Sequence, residues 1–128
     1  MKNDKIIYWT STILLSAGMF FGGMAQLFRM DENVEGILHV GYPVYFMSLL
    51  GIWKIFGVIV ILLPKLPLIK EWAYAGFFFA MTGAVISHIA VGDHFSQFIA
   101  PIIFILLIIT SWHFRPTNKK LLTTNNLM

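Results

Sequence analysis

One lysine stands inside a stretch that is otherwise apolar. The segment SLLGIWKIFGVIVILLP runs from Ser48 to Pro64, with Lys54 near its middle. A lysine at the centre of a lipid-spanning helix costs around 2.5–3.5 kcal/mol on insertion scales, and such residues mark ligand, ion or proton sites by default. Three states are open to Lys54: held neutral, charged in a wet cavity of carbonyls and hydroxyls, or paired with an anionic ligand or partner. The plain structural alternative is a lysine that snorkels to a lipid headgroup. His88 is the second candidate. It can relay a proton or donate to a ligand carbonyl, or simply bond a backbone carbonyl or water.

Other polar side chains are placed by depth, at 1.5 Å per helical residue. On that scale Lys54 lies roughly 15 Å below the outer boundary, Thr82 near the midplane and His88 about 9 Å above it. Ser48 is at a height similar to His88, and Gln26 is near the outer end of the first apolar segment. The expected polar column is therefore Lys54 and Thr82 at its floor, Ser48, Ser87 and His88 above, and Gln26, Asp93 and His94 at its mouth. Trp53 sits at mid-depth beside Lys54, as apolar bulk or as part of a pocket wall. Lys54, His88, Gln26, Ser48, Thr82 and Trp53 are the candidate ligand-binding residues. No carboxylate is expected at the depth of Lys54, and Lys54 and His88 lack the third partner that nucleophilic catalysis requires.

The elements that must position these residues are apolar helices. Of 128 residues, 58% are hydrophobic and 12% charged, with a mean hydropathy of +0.77. That is about half the charged share of a soluble domain, which points to a membrane protein. The chain has no cysteine, which excludes disulfides, thiol redox chemistry and zinc–thiolate sites. The basic residues form no dense patch with interleaved aromatics, so nucleic acid is excluded as a partner. Four runs, about 6–28, 44–63, 72–91 and 98–114, are each roughly 17–23 residues, long enough to cross a bilayer as helices. They are continuously apolar rather than alternating, which excludes barrel strands. The fold expected is all-α: a polytopic four-transmembrane-helix bundle over 1–116, followed by a polar tail, 117–128, expected to be mobile.

Lys2, Lys5, Lys65, Lys70, Arg115, Lys119 and Lys120 fall on one side of that bundle and Arg29 on the other. The positive-inside rule then puts both termini in the cytoplasm of a bacterium whose plasma membrane the chain spans. The first run has a basic start and a small-x-small GMA at Gly23 to Ala25. It is longer than a signal core, and it is read as a retained span. Gly18 and Gly22 form a GxxxG, and Ala73, Gly76, Ala80, Gly83 and Ser87 form a second small stripe. Both are expected to be helix contacts, within a monomer or across a homodimer. Tyr8, Trp9, Tyr42, Tyr45, Trp72, Tyr74 and Trp112 are expected to form an interfacial aromatic belt. His88 and His113 lie near opposite faces, the wrong placement for one haem, and the histidine spacing is no metal signature. No metal is expected.

Together, GIWKIFG (Gly51 to Gly57), KEWAYAGF (Lys70 to Phe77) and GAVISH (Gly83 to His88) make the chain resemble the DoxX-like family of small four-helix membrane proteins. The resemblance runs from the first span to the fourth. It implies that Lys54, Glu71, Trp72, Ala73, Tyr74, Gly76 and His88 are family-pattern positions. The family name derives from relatives linked to a thiosulfate:quinone oxidoreductase, and more distant relatives look like membrane chaperones or cargo receptors. The resemblance thus implies an accessory subunit of a quinone-linked oxidoreductase, an assembly factor, or a non-enzymatic module binding a lipid, quinone or other amphipathic ligand. Glu71 and Trp72 are expected at the start of the third long helix. There the carboxylate suits the helix dipole or pairs with Lys65 or Lys70.

Overall fold

A computed structural model describes residues 2–120 of the chain, and among them every regular element is helical. Helix α1 runs Lys2–Leu27, with Asp4 in its first turn, where a carboxylate favours the helix dipole. Helix α2, Asp31–His39, is short, and has acids in its first turn and His39 in its last. Helix α3, Val44–Leu62, starts after Pro43 and stops before Pro64. Helix α4, Pro67–Ala90, begins with proline at its first position, where the missing N–H costs nothing. Helix α5, Ile99–His113, ends the bundle.

Three of these, α1, α3 and α4, are long and apolar enough to cross a membrane; α5 is a shorter apolar helix of 15 residues. Going round the bundle, the neighbours are α1, α3, α4 and α5, and α5 closes back on α1. All four helices feed one core: Leu15 and Met19, Val58 and Ile61, Tyr74, Phe77 and Met81, and Ile108. One polar node lies inside it. The Thr12 and Ser111 hydroxyls share a 2.6 Å hydrogen bond, and Ser111 shares another of 2.8 Å with the Tyr74 hydroxyl. The node joins α1, α4 and α5; Tyr8 and Tyr74, expected in the interfacial belt, are buried in this region instead, and the Tyr8 and Ser16 hydroxyls have no hydrogen-bond partner among the described residues. Outside, Phe21 is 70% exposed and Phe79 69%. Apolar surface of that extent marks a face meant for lipid.

Helix α2 occupies the connection between the first two apolar runs, where no element is expected. It lies against α3 and the end of α1. Left-handed backbone flanks it, with Arg29 at φ 53° before and Gly41 at φ 95° after. The turn between α3 and α4 holds two further left-handed residues, Lys65 and Leu66 at φ 61° and 56°. Non-glycine residues there cost of order 1–2 kcal/mol each. Lys70 offsets this from below: it is buried, and its ammonium donates to the Val60 and Leu63 carbonyls at the open end of α3. The polar tail is also not uniformly free. Residues Thr117–Lys119 form a 3-10 turn, with the Lys119 ammonium 5.2 Å from the Trp9 ring centroid. From 121 onward the expected mobile tail lies outside the described residues.

Candidate functional site

A chamber of about 260 Å³ opens at the end of the bundle where α2 lies. Its walls carry Gln26 from α1, Glu32 and Asn33 from α2, Lys54 from α3, and Ser87 and His88 from α4. Lys54 and His88, 34 positions apart in the sequence, thus share one cavity with Gln26. Lys54 is partly buried near the middle of α3 and enters none of the ion pairs or side-chain hydrogen bonds found among the described residues. Gln26 adds a buried side-chain oxygen, Oε1, that also lacks a partner. An unpaired ammonium and an orphaned amide oxygen in one cavity are the groups a polar ligand would satisfy.

Four expected members of the column, Thr82, Ser48, Asp93 and His94, do not line the chamber; His94 instead caps the turn after α4, its Nδ1 accepting from the Ser96 N–H at 3.2 Å. The Thr82 hydroxyl donates back to the Phe78 carbonyl at 2.9 Å, as helical threonines do when nothing better is in reach. Ser48 accepts from Arg29 Nε at 3.2 Å. Trp53 lines a different cavity, a groove of about 380 Å³ between α3 and α4 whose wall also includes Trp72, Gly76 and Lys54. The small stripe on α4 is divided: Ala73 and Ala80 pack against the core, and the two glycines do not. A Cβ added at Gly76 or Gly83 would meet nothing within 4 Å, so these glycines face open space rather than a packed helix.

His88 does have an orienting partner. Its Nδ1 donates to Asp93 Oδ2 at 2.6 Å, and its ring stacks on Phe98 with centroids 6.3 Å apart. The other carboxylate oxygen of Asp93 accepts from His39 Nε2 at 2.6 Å. Asp93 therefore clasps the C-terminal end of α2 to that of α4, and a Tyr42–Ser87 hydroxyl contact of 2.9 Å adds a second tie beside it. Sequence reasoning put Asp93 at the mouth but missed the clasp, and missed α2 with Glu32 and Asn33. The available signal was Val34, Ile37 and Leu38 at helical spacing, between an acidic start and a histidine end.

Hydrogen bonds from His88, and then from His39, hold the Asp93 carboxyl below the usual carboxylate range. A carboxylate with a depressed folded pKa stabilises the folded arrangement above its ordinary value of about 3.9, and that contribution fades as pH falls through the lower folded value. The clasp should be intact at neutral pH and should open only as pH falls below the ordinary carboxylate range, through the depressed folded value. Amide hydrogen exchange over residues 31–39, corrected for intrinsic rates, should speed up across that acid range in the wild type. In Asp93→Asn it should be fast already at neutral pH. Equal protection of the two proteins at neutral pH would show that other contacts hold α2.

The family-pattern residues at the opposite end make a separate cluster. Glu71 accepts from Trp112 Nε1 at 2.8 Å and from an Arg115 guanidinium nitrogen at 2.7 Å. This replaces the expected pairing with Lys65 or Lys70, because α4 starts at Pro67 and Glu71 faces α5 a full turn into the helix. Tyr74 belongs to the buried polar node, and Trp72, 67% exposed, stands at the rim of the groove. A family model, the DoxX-like family, matches residues 10–111, which takes in the chamber, the groove and Glu71 but stops short of its partners Trp112 and Arg115. Comparison with curated proteins and with solved structures gave no match.

Proposed function

The chain belongs to the DoxX-like family, and from that premise we propose that this membrane protein is a non-enzymatic module holding a lipid, quinone or other amphipathic ligand in the chamber around Lys54 and His88. The observation that carries the reading is the unpaired Lys54 lining one cavity with His88 and Gln26. Lys54 would pair with an oxygen of the ligand, and His88, oriented by Asp93, would present its free Nε2 edge to it. The buried, orphaned Gln26 Oε1 would accept from a ligand hydroxyl.

The proposed setting is a four-span bundle in a bacterial plasma membrane with both termini cytoplasmic. Seven of the nine basic residues at the α1 start, the α3–α4 turn and the α5 end support that orientation. Helix α5 is the fourth span in this reading. At 15 residues it covers about 22 Å, short of a 30 Å core, and local bilayer thinning accommodates it. Its place in the ring between α1 and α4 supports its counting as a span.

The test is native mass spectrometry after gentle extraction. Wild type should retain a small molecule that Lys54→Met loses, with occupancy down about tenfold or more, as expected for removal of a desolvated charge partner. Equal retention by the two proteins would sink the reading.

A further inference from the structure

The chamber and the lateral groove meet. Leu50, Lys54 and Ala80 line both. On the chamber side the wall carries polar groups, Gln26, Glu32, Asn33, Ser87 and His88, among apolar ones such as Ile37, Phe46 and Met81. On the groove side Lys54 is the single charged residue, and the rest of the wall is aliphatic or aromatic. The groove runs out between α3 and α4 past Trp53, Phe56 and Trp72, which are 54%, 62% and 67% exposed. In the bilayer that mouth opens on acyl chains, not on water.

The glycines explain why the crevice stays open. On α3, Gly51 and Gly57 are used up by packing: a Cβ at Gly57 would lie 2.5 Å from the Phe77 ring. On α4, Gly76 and Gly83 have nothing within 4 Å of the Cβ position. Small residues in membrane helices ordinarily bring backbones together. Here the two glycines on α4 leave an unfilled channel instead, with Lys54 at its bend.

We infer that the ligand is a single-chain amphiphile with an anionic headgroup. The head sits in the chamber on Lys54, and the hydrocarbon chain leaves the bundle sideways through the α3–α4 groove into the bilayer. This rests on the ligand-binding reading above and adds to it the class of ligand and its route. The anionic head follows from Lys54, whose burial in lipid is relieved by an opposite charge. Asp93 cannot supply that charge, since both its oxygens are taken by imidazoles. Glu32 shares the chamber but makes no ion pair with Lys54. A single chain follows from the one crevice that is found to join the chamber among the described residues. The other apolar cavity beside α4, toward α5, shares neither Lys54 nor any chamber residue.

Three leucine variants separate the parts, and none of them meets a neighbour within 4 Å at the Cβ. Gly76→Leu fills the groove, Gly83→Leu fills the chamber, and Gly22→Leu, which lines neither, is the control. Full-length protein in nanodiscs is titrated with palmitate, hexanoate and palmityl alcohol, and unfolding midpoints confirm that each variant is folded. Gly76→Leu should weaken palmitate by about tenfold and leave hexanoate within about twofold, the discrimination a filled apolar pocket gives. Gly83→Leu should weaken both acids, and Lys54→Met should weaken palmitate but not palmityl alcohol. Palmitate affinity unchanged by Gly76→Leu, or palmityl alcohol binding wild type as well as palmitate, overturns the route or the anionic head. A loss confined to Gly83→Leu leaves the chamber reading standing. If neither Gly83→Leu nor Lys54→Met weakens any probe, the chamber reading falls as well.

Discussion

Gly51→Val is expected to deprive the protein of its folded state. A Cβ at Gly51 would lie 2.6 Å from the Gly23 carbonyl oxygen and 2.9 Å from the Leu27 nitrogen. Both are backbone atoms inside α1, so no rotamer change can clear the space, and the two helices must separate. Overpacking typically costs 1–3 kcal/mol and more where nothing can yield; about 3 kcal/mol or above is expected here. Moving α3 off α1 would also displace Lys54, which lies on the next turn and whose Cβ is 3.1 Å from the position a Cβ on Gly23 would take. The readout is the monodisperse fraction on size exclusion after mild extraction, with the unfolding midpoint of whatever survives. Gly22→Ala is the matched control: nothing is within 4 Å of its Cβ position, and replacing a helical glycine gains about 0.5–1 kcal/mol. A Gly51→Val protein as stable as Gly22→Ala would mean that α1 and α3 do not meet at this pair.

Glu71→Gln should be the most damaging change at the other end of the bundle. The Glu71 and Arg115 side chains are 22% and 12% exposed, so removing the carboxylate leaves a largely buried guanidinium without its counter-charge. Breaking a fully buried pair costs 3–5 kcal/mol, and the remaining solvent access lowers the expectation to about 2 kcal/mol. The Trp112 indole loses a charged acceptor at the same time. Arg115 also donates to the Trp112 carbonyl, with its guanidinium carbon 4.6 Å from the Trp112 ring centroid, so Glu71 organises the whole C-terminal end of α5. Because the penalty lies in the stranded charge, the double variant Glu71→Gln, Arg115→Met should recover much of the loss. A thermal unfolding cycle in detergent measures this coupling. Strict additivity of the two single changes would show that the pair is not the stabilising contact. Lys70 acts independently of it, on the α3 carbonyls.

The fold was legible where a long apolar run forces the answer. Backbone groups in lipid must be satisfied internally, so runs such as the one around Lys54 have to be helices. Prolines at 43 and 64 bracket α3 close to the expected 44–63, whereas α4 begins at Pro67, five residues before the expected 72, because proline at the first helical position starts a helix as readily as it ends one. Helix α2 escaped notice because its nine residues carry polar and apolar groups in a weak pattern, and a segment that short is stabilised by what it packs against rather than by propensity. Glu71 was read as a helix-start charge because sequence distance favours Lys65 and Lys70. Its partner Arg115 is 44 positions away and reaches it only through the antiparallel approach of α4 and α5.

Lys54 shows the division most clearly. Sequence by itself determined that an ammonium would sit deep in an apolar helix, since that needs only residue type and a rise per residue. It also placed no carboxylate at the same depth in the other apolar runs. Which groups share its cavity depended on the rotation of each helix about its axis, and packing contacts set that rotation: Gly51 against Gly23, Gly57 against Phe77, Gly18 against Phe104. Those contacts brought His88 and Gln26 to the Lys54 chamber and turned Thr82 and Ser48 away from it. They also left the open face of α4, because a glycine in sequence looks the same whether a helix packs on it or a cavity does.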